Sequence, residues 1–165
     1  MSLYLIMKLF HVLAAFWFIS GLIGRDFTFW QAGRAANVQA VHALLQVSDS
    51  FERYAVIPMG SVILVFGLIV TWMQRWPLFG FLQGSHSNWL LVSFILFVGG
   101  SLAIIPLRLV VRRKQRTHAL EEALTQGTIT SELTAALHDK VIVTFREVEL
   151  IIVIVIVILM VIKPF

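Results

Sequence analysis

The 165-residue sequence contains no cysteine. That removes disulfides, thiolate nucleophiles and cysteine-ligated iron–sulfur or zinc centres, and leaves His, Met and carboxylates as the metal ligands available. Charge is scarce as well. Asp, Glu, Lys and Arg make up 13% of the chain against 59% hydrophobic residues, with a mean hydropathy of +0.89. A soluble domain of this size rarely reaches that balance. Because the apolar residues come in long blocks, the sequence reads as an integral membrane protein, with the lipid bilayer as its first partner. No Pro/Gly/Ser-rich linker, internal repeat or low-complexity tract divides it, so residues 1–165 form one membrane domain. No glycine-rich phosphate loop or nucleic-acid motif accompanies the net charge of +4, so nucleic acid is not expected as a partner. Repeated Glu-x-x-His patterns, which a di-iron bundle needs, are missing, and no protease set is readable.

What is present is four apolar segments. A bilayer core of about 30 Å needs about 20 helical residues. Residues 3–24, 55–73, 89–107 and 143–162 qualify, which predicts an all-α fold, a membrane four-helix bundle. The first reads as a retained span and not a cleaved signal peptide, because it is long and Arg25 follows it. Ten of the thirteen Lys and Arg residues fall in the first and third connections or at their borders. The remaining Lys8, Arg75 and Lys163 fall on the other side. This asymmetry predicts a multi-pass protein with both longer connections in the cytoplasm and both termini outside.

The connections carry helical patterns of their own. The third stays helical from Leu107 through "RLVVRRKQRTHALEEALTQ", meets a stop at Gly127 and restarts with Thr130 as a cap, running on into the fourth span. This predicts a cytoplasmic helical hairpin. In the first, Val38, Val41 and Leu45 recur at helical spacing, suggesting an amphipathic helix on the inner membrane surface. "SDSFE" offers Asp49 as an N-cap for the second span, with Glu52 three residues on.

Two polar groupings stand at membrane depth. In "LIMKLFHVLAAFWF", Lys8 and His11 share a helix face with Ala14, Ala15 and Phe18. A neutral imidazole can ligate haem iron, the alanines would admit a flat macrocycle, and Lys8 could meet a propionate. Met160 in the fourth span is a candidate second ligand. Equally, Lys8 can snorkel to the headgroups and His11 can hydrogen-bond a neighbouring helix. The second grouping is "FREVEL", with Arg146, Glu147 and Glu149 near the inner end of the fourth span and Arg53 and Arg108 at similar depth. Carboxylates there should pair, bind something or carry a proton.

The stretch "LYLIMKLFHVLAAFWFISGLIGR", with Lys8, His11, Trp17 and Gly21, resembles the first helix of the bacterial membrane protoporphyrinogen oxidases, the flavin-independent haem-biosynthetic family. "ERYAVIPMGSVILVFGL" is similar to that family's second helix, and "REVELIIVIVIVILMVIKPF" to its last. A wider group of uncharacterised integral membrane proteins shares these helix patterns. Elsewhere the chain departs from the family: Ser93 follows Trp89 where the family has a lysine, and Arg146-Glu147-Val148-Glu149 replaces its Asn-Glu-x-Pro. The resemblance implies a bacterial cytoplasmic-membrane location and haem b held by His11. It makes a haem-binding redox or electron-transfer protein the leading expectation. A non-catalytic accessory subunit, packed against other membrane subunits or its own copies, is the alternative.

Overall fold

Proline placement shapes the long helices. In the computed structural model, which describes residues 2–84, 86 and 88–163 and the side chains of all of these except 103–111, α1 (Leu3–Ala32) is an unbroken 30-residue helix. α2 (Val38–Phe51) then runs without a break through a π-helical turn, Glu52–Val56, into α3 (Ile57–Met73). α4 (Trp89–Ile95) likewise passes through a π-helical stretch, Leu96–Ile104, into α5 (Ile105–Gln126). Each π segment ends two residues before a proline, Pro58 or Pro106. Proline has no N–H to return to the preceding turn, and a π turn is one way for a helix to absorb the mismatch without stopping. α6 (Ser131–Leu137) and α7 (Lys140–Ile162) complete the chain. A short 3₁₀ turn, Gly80–Gln83, lies between α3 and α4.

Every described element is helical. α1 and the 36-residue helix Val38–Met73 are each long and apolar enough to cross a membrane, and Trp89–Leu102 is a shorter apolar helix. The two long helices are antiparallel neighbours. Gly21 lies so close to Ala55 that a Cβ there would come within 2.6 Å of the alanine methyl, and Gly67 faces the His11 ring in the same way at 3.0 Å. α7 runs back along α4 and its π stretch, with Ile152 against Gly100 and Leu159 beside Trp89.

Three apolar clusters follow one another along the molecule. One end holds Phe29, Ala32, Val38, Val41, Leu45, Ala123, Leu133 and Leu137. The middle holds Phe18, Leu22, Val56, Phe97 and Val153. The far end holds Trp89, Leu90 and Leu159, with Trp76 and Met160 packed on them.

Thr130 caps α6 (Leu133 N–H to Thr130 Oγ1, 3.2 Å) and Gly127 stops α5 at φ +71°. α6 does not run into the next helix, because Asp139 caps α7 afresh (Val141 N–H to Oδ1, 2.8 Å). The N-cap of α2 is Asn37, which accepts from Ala40 N–H at 2.8 Å. Asp49 caps nothing; it lies inside the continuous helix and takes Arg113 (2.9 Å) and Arg116 (3.1 Å). Nor does α2 lay its apolar face on a membrane surface. Val38, Val41 and Leu45 are buried against α5 and α6, so the amphipathic period reports a protein core.

Candidate functional site

The buried charges converge on Arg25. Its side chain is 2% exposed, and each arm of its guanidinium donates to a different carboxylate: Nε to Asp26 (2.8 Å), Nη1 to Glu52 (2.8 Å) and Nη2 to Glu149 (2.7 Å). The fork geometry of guanidinium permits this; an ammonium on a flexible stem would not hold three fixed directions. The partners come from α1 itself, the π turn and α7. Arg146 joins through Asp26 Oδ1 at 2.7 Å and lies over the Phe29 ring at 4.1 Å. Arg116 approaches the same ring at 5.5 Å and carries the network to Asp49. Burial pulls the Arg116 pKa below its ordinary value, with Asp49 opposing. Ser48 Oγ donates to the Arg25 carbonyl at 2.9 Å. Around Arg25, two arginines face three carboxylates, and Asp26 Oδ2 and Arg146 Nε are buried with no partner among the described residues.

This ionic layer differs from the one the "FREVEL" motif suggests. Glu149 and Arg146 belong to it. Glu147 points outward and is exposed, because it lies two residues from Glu149 and faces the other side of α7. Arg53 stands outside the layer, beside the Tyr54 ring at 5.7 Å. The side chain of Arg108 lies outside the described residues. The central residues, Arg25, Asp26 and Glu52, pass in sequence for a span flank and a helix cap. The available signal is helix packing: where the helices lie side by side, Arg25 of α1, Glu52 ahead of α3 and Glu149 of α7 come to one level.

His11, Lys8 and Met160 do not converge. His11 Nδ1 is 3.1 Å from the Ile63 carbonyl. A carbonyl only accepts, so Nδ1 carries the proton and Nε2 keeps the lone pair. Lys8 is exposed, with Nζ 5.9 Å from the Tyr4 ring. Met160 packs in the far cluster with Trp89 and Leu159. The histidine tautomer therefore suits one axial bond to a haem iron through Nε2, whereas Met160 does not fit as the second ligand. Two cavities among the described residues, one lined by Trp72, Arg75 and Trp76, the other by Arg112, His118 and Glu132, do not include His11. Among the described residues, no three His, Asp or Glu side chains are grouped to hold a metal ion. Ser93 turns its hydroxyl to the Trp89 carbonyl at 2.7 Å.

Residues 5–164 match the model of a family described as a predicted integral membrane protein family, DUF2269. The chain belongs to that family. Its membership carries the membrane reading over nearly the whole length and says nothing of haem or oxidase activity. No curated protein and no solved structure matches the chain. Among the described residues of this DUF2269 protein, the ionic layer around Arg25 is the most elaborate polar arrangement, and its groups are engaged chiefly with one another.

Proposed function

We propose that this chain is a non-catalytic accessory subunit of a larger assembly in the bacterial cytoplasmic membrane. It is a four-span bundle, with residues 3–24, 55–73, 89–107 and 143–162 crossing, both termini outside and the α5–α6 hairpin in the cytoplasm. The observation that carries this reading is that, apart from Arg146 Nε and Ser101 Oγ, which are buried with no partner among the described residues, the principal polar side chains at depth spend their donors inside the chain. His11 donates to Ile63, Ser93 to Trp89, and Arg25 to three carboxylates. The outward faces are apolar: Phe16, Trp17 and Ile23 on α1, and Ile151, Ile154 and Ile158 on α7 are all about half exposed or more. A photo-crosslinking residue at Phe16 or Ile158 in native membranes should give discrete protein adducts. Lipid adducts alone at both positions would sink the proposal.

One observation favours a second reading, haem-b binding with a redox role. The Nδ1–H to carbonyl bond fixes the imidazole tautomer that a metal-bound histidine commonly has. His11 would be the axial ligand and Lys8 a propionate partner; a bound haem would supply one-electron chemistry. Protein purified in mild detergent from haem-replete cells decides between the readings. A reducible Soret band that His11→Ala abolishes supports the second, and colourless protein removes it.

A further inference from the structure

The end of the molecule remote from the ionic layer has no acidic side chain. All nine Asp and Glu residues lie between residues 26 and 52 or between 121 and 149. Three cations occupy that remote end. Lys163 is held by aromatic faces, 4.3 Å from Trp76 and 5.5 Å from Trp89, and Lys8 lies near Tyr4. Arg75 is different: among the described residues it makes neither an ion pair nor a cation–π contact, and it is exposed.

Its backbone is unusual. α3 closes with Trp76 N–H on the Thr71 carbonyl and Arg75 N–H on the Trp72 carbonyl, each at 3.1 Å. That is the Schellman arrangement, whose left-handed position is normally glycine. Here Arg75 fills it at φ +54°. A side chain in this region is strained, so local folding preference does not account for arginine. The helix dipole welcomes a cation at a C-terminus, but that would be met equally by an arginine in the last helical turn.

Beside it opens a broad cavity of about 710 Å³, lined by Trp72, Met73, Arg75, Trp76, Pro77 and Gln83. Gln83 Oε1 accepts the Phe79 N–H at 3.1 Å, which fixes the amide and leaves its NH₂ as a donor. The cavity thus offers a guanidinium, an amide donor, two indoles and a thioether, with no carboxylate to compete. Guanidinium matches phosphate oxygens, and indoles suit the headgroup level, where one side of a ligand is polar and the other apolar.

We propose that this cavity binds the phosphate group of an amphipathic phosphodiester, an anionic glycerophospholipid headgroup being the natural form. The inference is independent of both readings of function given above. The test uses the full chain in detergent, titrated with dioctanoyl phosphatidylglycerol and followed by native mass spectrometry. Binding should be saturable, and Arg75→Gly should weaken it at least tenfold while the melting temperature stays level or rises, because glycine relieves the left-handed strain. Gln83→Ala is a second variant expected to weaken binding. Adding millimolar inorganic phosphate separates the sources: displacement assigns the site to soluble phosphate, and failure to displace assigns it to the lipid. Non-saturable uptake by the wild type, or unchanged binding by Arg75→Gly, overturns the proposal.

Discussion

At Arg25, three donor directions of one side chain hold three helical segments, and the consequence of removing it is calculable in sign. Arg25→Met would leave Asp26, Glu52 and Glu149 together without their shared cation. Stripping one partner from a buried ion pair typically costs about 3–5 kcal/mol, so this variant should lose much of its folded fraction in a detergent melt. Glu147→Gln, on the exposed face of α7, should shift stability by no more than about 0.5 kcal/mol. Equal effects from the two would mean that the layer is not organised around Arg25. At this scale the sequence shows that Glu149 and Arg146 need partners, because charge at depth always does. Which partners could not be read: Arg25 and Glu149 are 124 positions apart, and only the packing of α1 against α7 brings them together. His11 was legible as a residue with a reason to be inside. Its partner is a backbone carbonyl, a group every residue possesses, and so nothing in the sequence marks Ile63.

Among the elements, contact between α1 and α3 depends on glycine. Polar-free helices in lipid gain little from the hydrophobic effect and associate through close packing, so absent side chains matter. Gly21→Ala would place a methyl 2.6 Å from the Ala55 Cβ, well inside contact distance. The helices must then separate, at a cost of about 1–3 kcal/mol. Thermal unfolding followed by tryptophan emission should show this, while Gly99→Ala, whose Cβ meets nothing within 4 Å, should not. An insensitive Gly21→Ala protein would show that α1 and the π turn leading into α3 are not in contact there. Helix identity was legible wherever apolar runs or caps were long and plain, as at Thr130 and Gly127. Continuity was not. The amphipathic run from Val38 was separable from the next span only by taking Asp49 as a fresh N-cap ahead of Pro58. The π turn at Glu52–Val56 lets the chain pass through that proline instead. The apolar face of α2 likewise could not declare its neighbour, since a lipid surface and a protein core ask for the same periodicity.

On the scale of the whole molecule, the ionic layer separates two apolar regions of different kind. One side holds the cluster around Phe29 and Leu133, and the other the cluster around Phe18 and Leu22. In the proposed arrangement the first projects into the cytoplasm, where burial of each large apolar side chain contributes about 1.5–3 kcal/mol. A phosphatase fusion at Gly127 should be inactive and a cytoplasmic reporter there active; the reverse pattern would invert the topology. The membrane character was legible from composition, and the family match supports it. The division of the chain at Arg25 was not, because α1 crosses it without a break. That unbroken passage also fixes a length. From Leu3 to Gly24 the helix rises about 32 Å at 1.5 Å per residue, close to a typical hydrocarbon thickness. The charges around Arg25 are tied to three helical segments, and no single helix can slide past its neighbours to suit a thicker or thinner bilayer. In the proposed four-span arrangement, hydrophobic mismatch would then be taken up by the surrounding lipid or by tilting of the entire bundle, and the protein would act as a rigid gauge of its membrane.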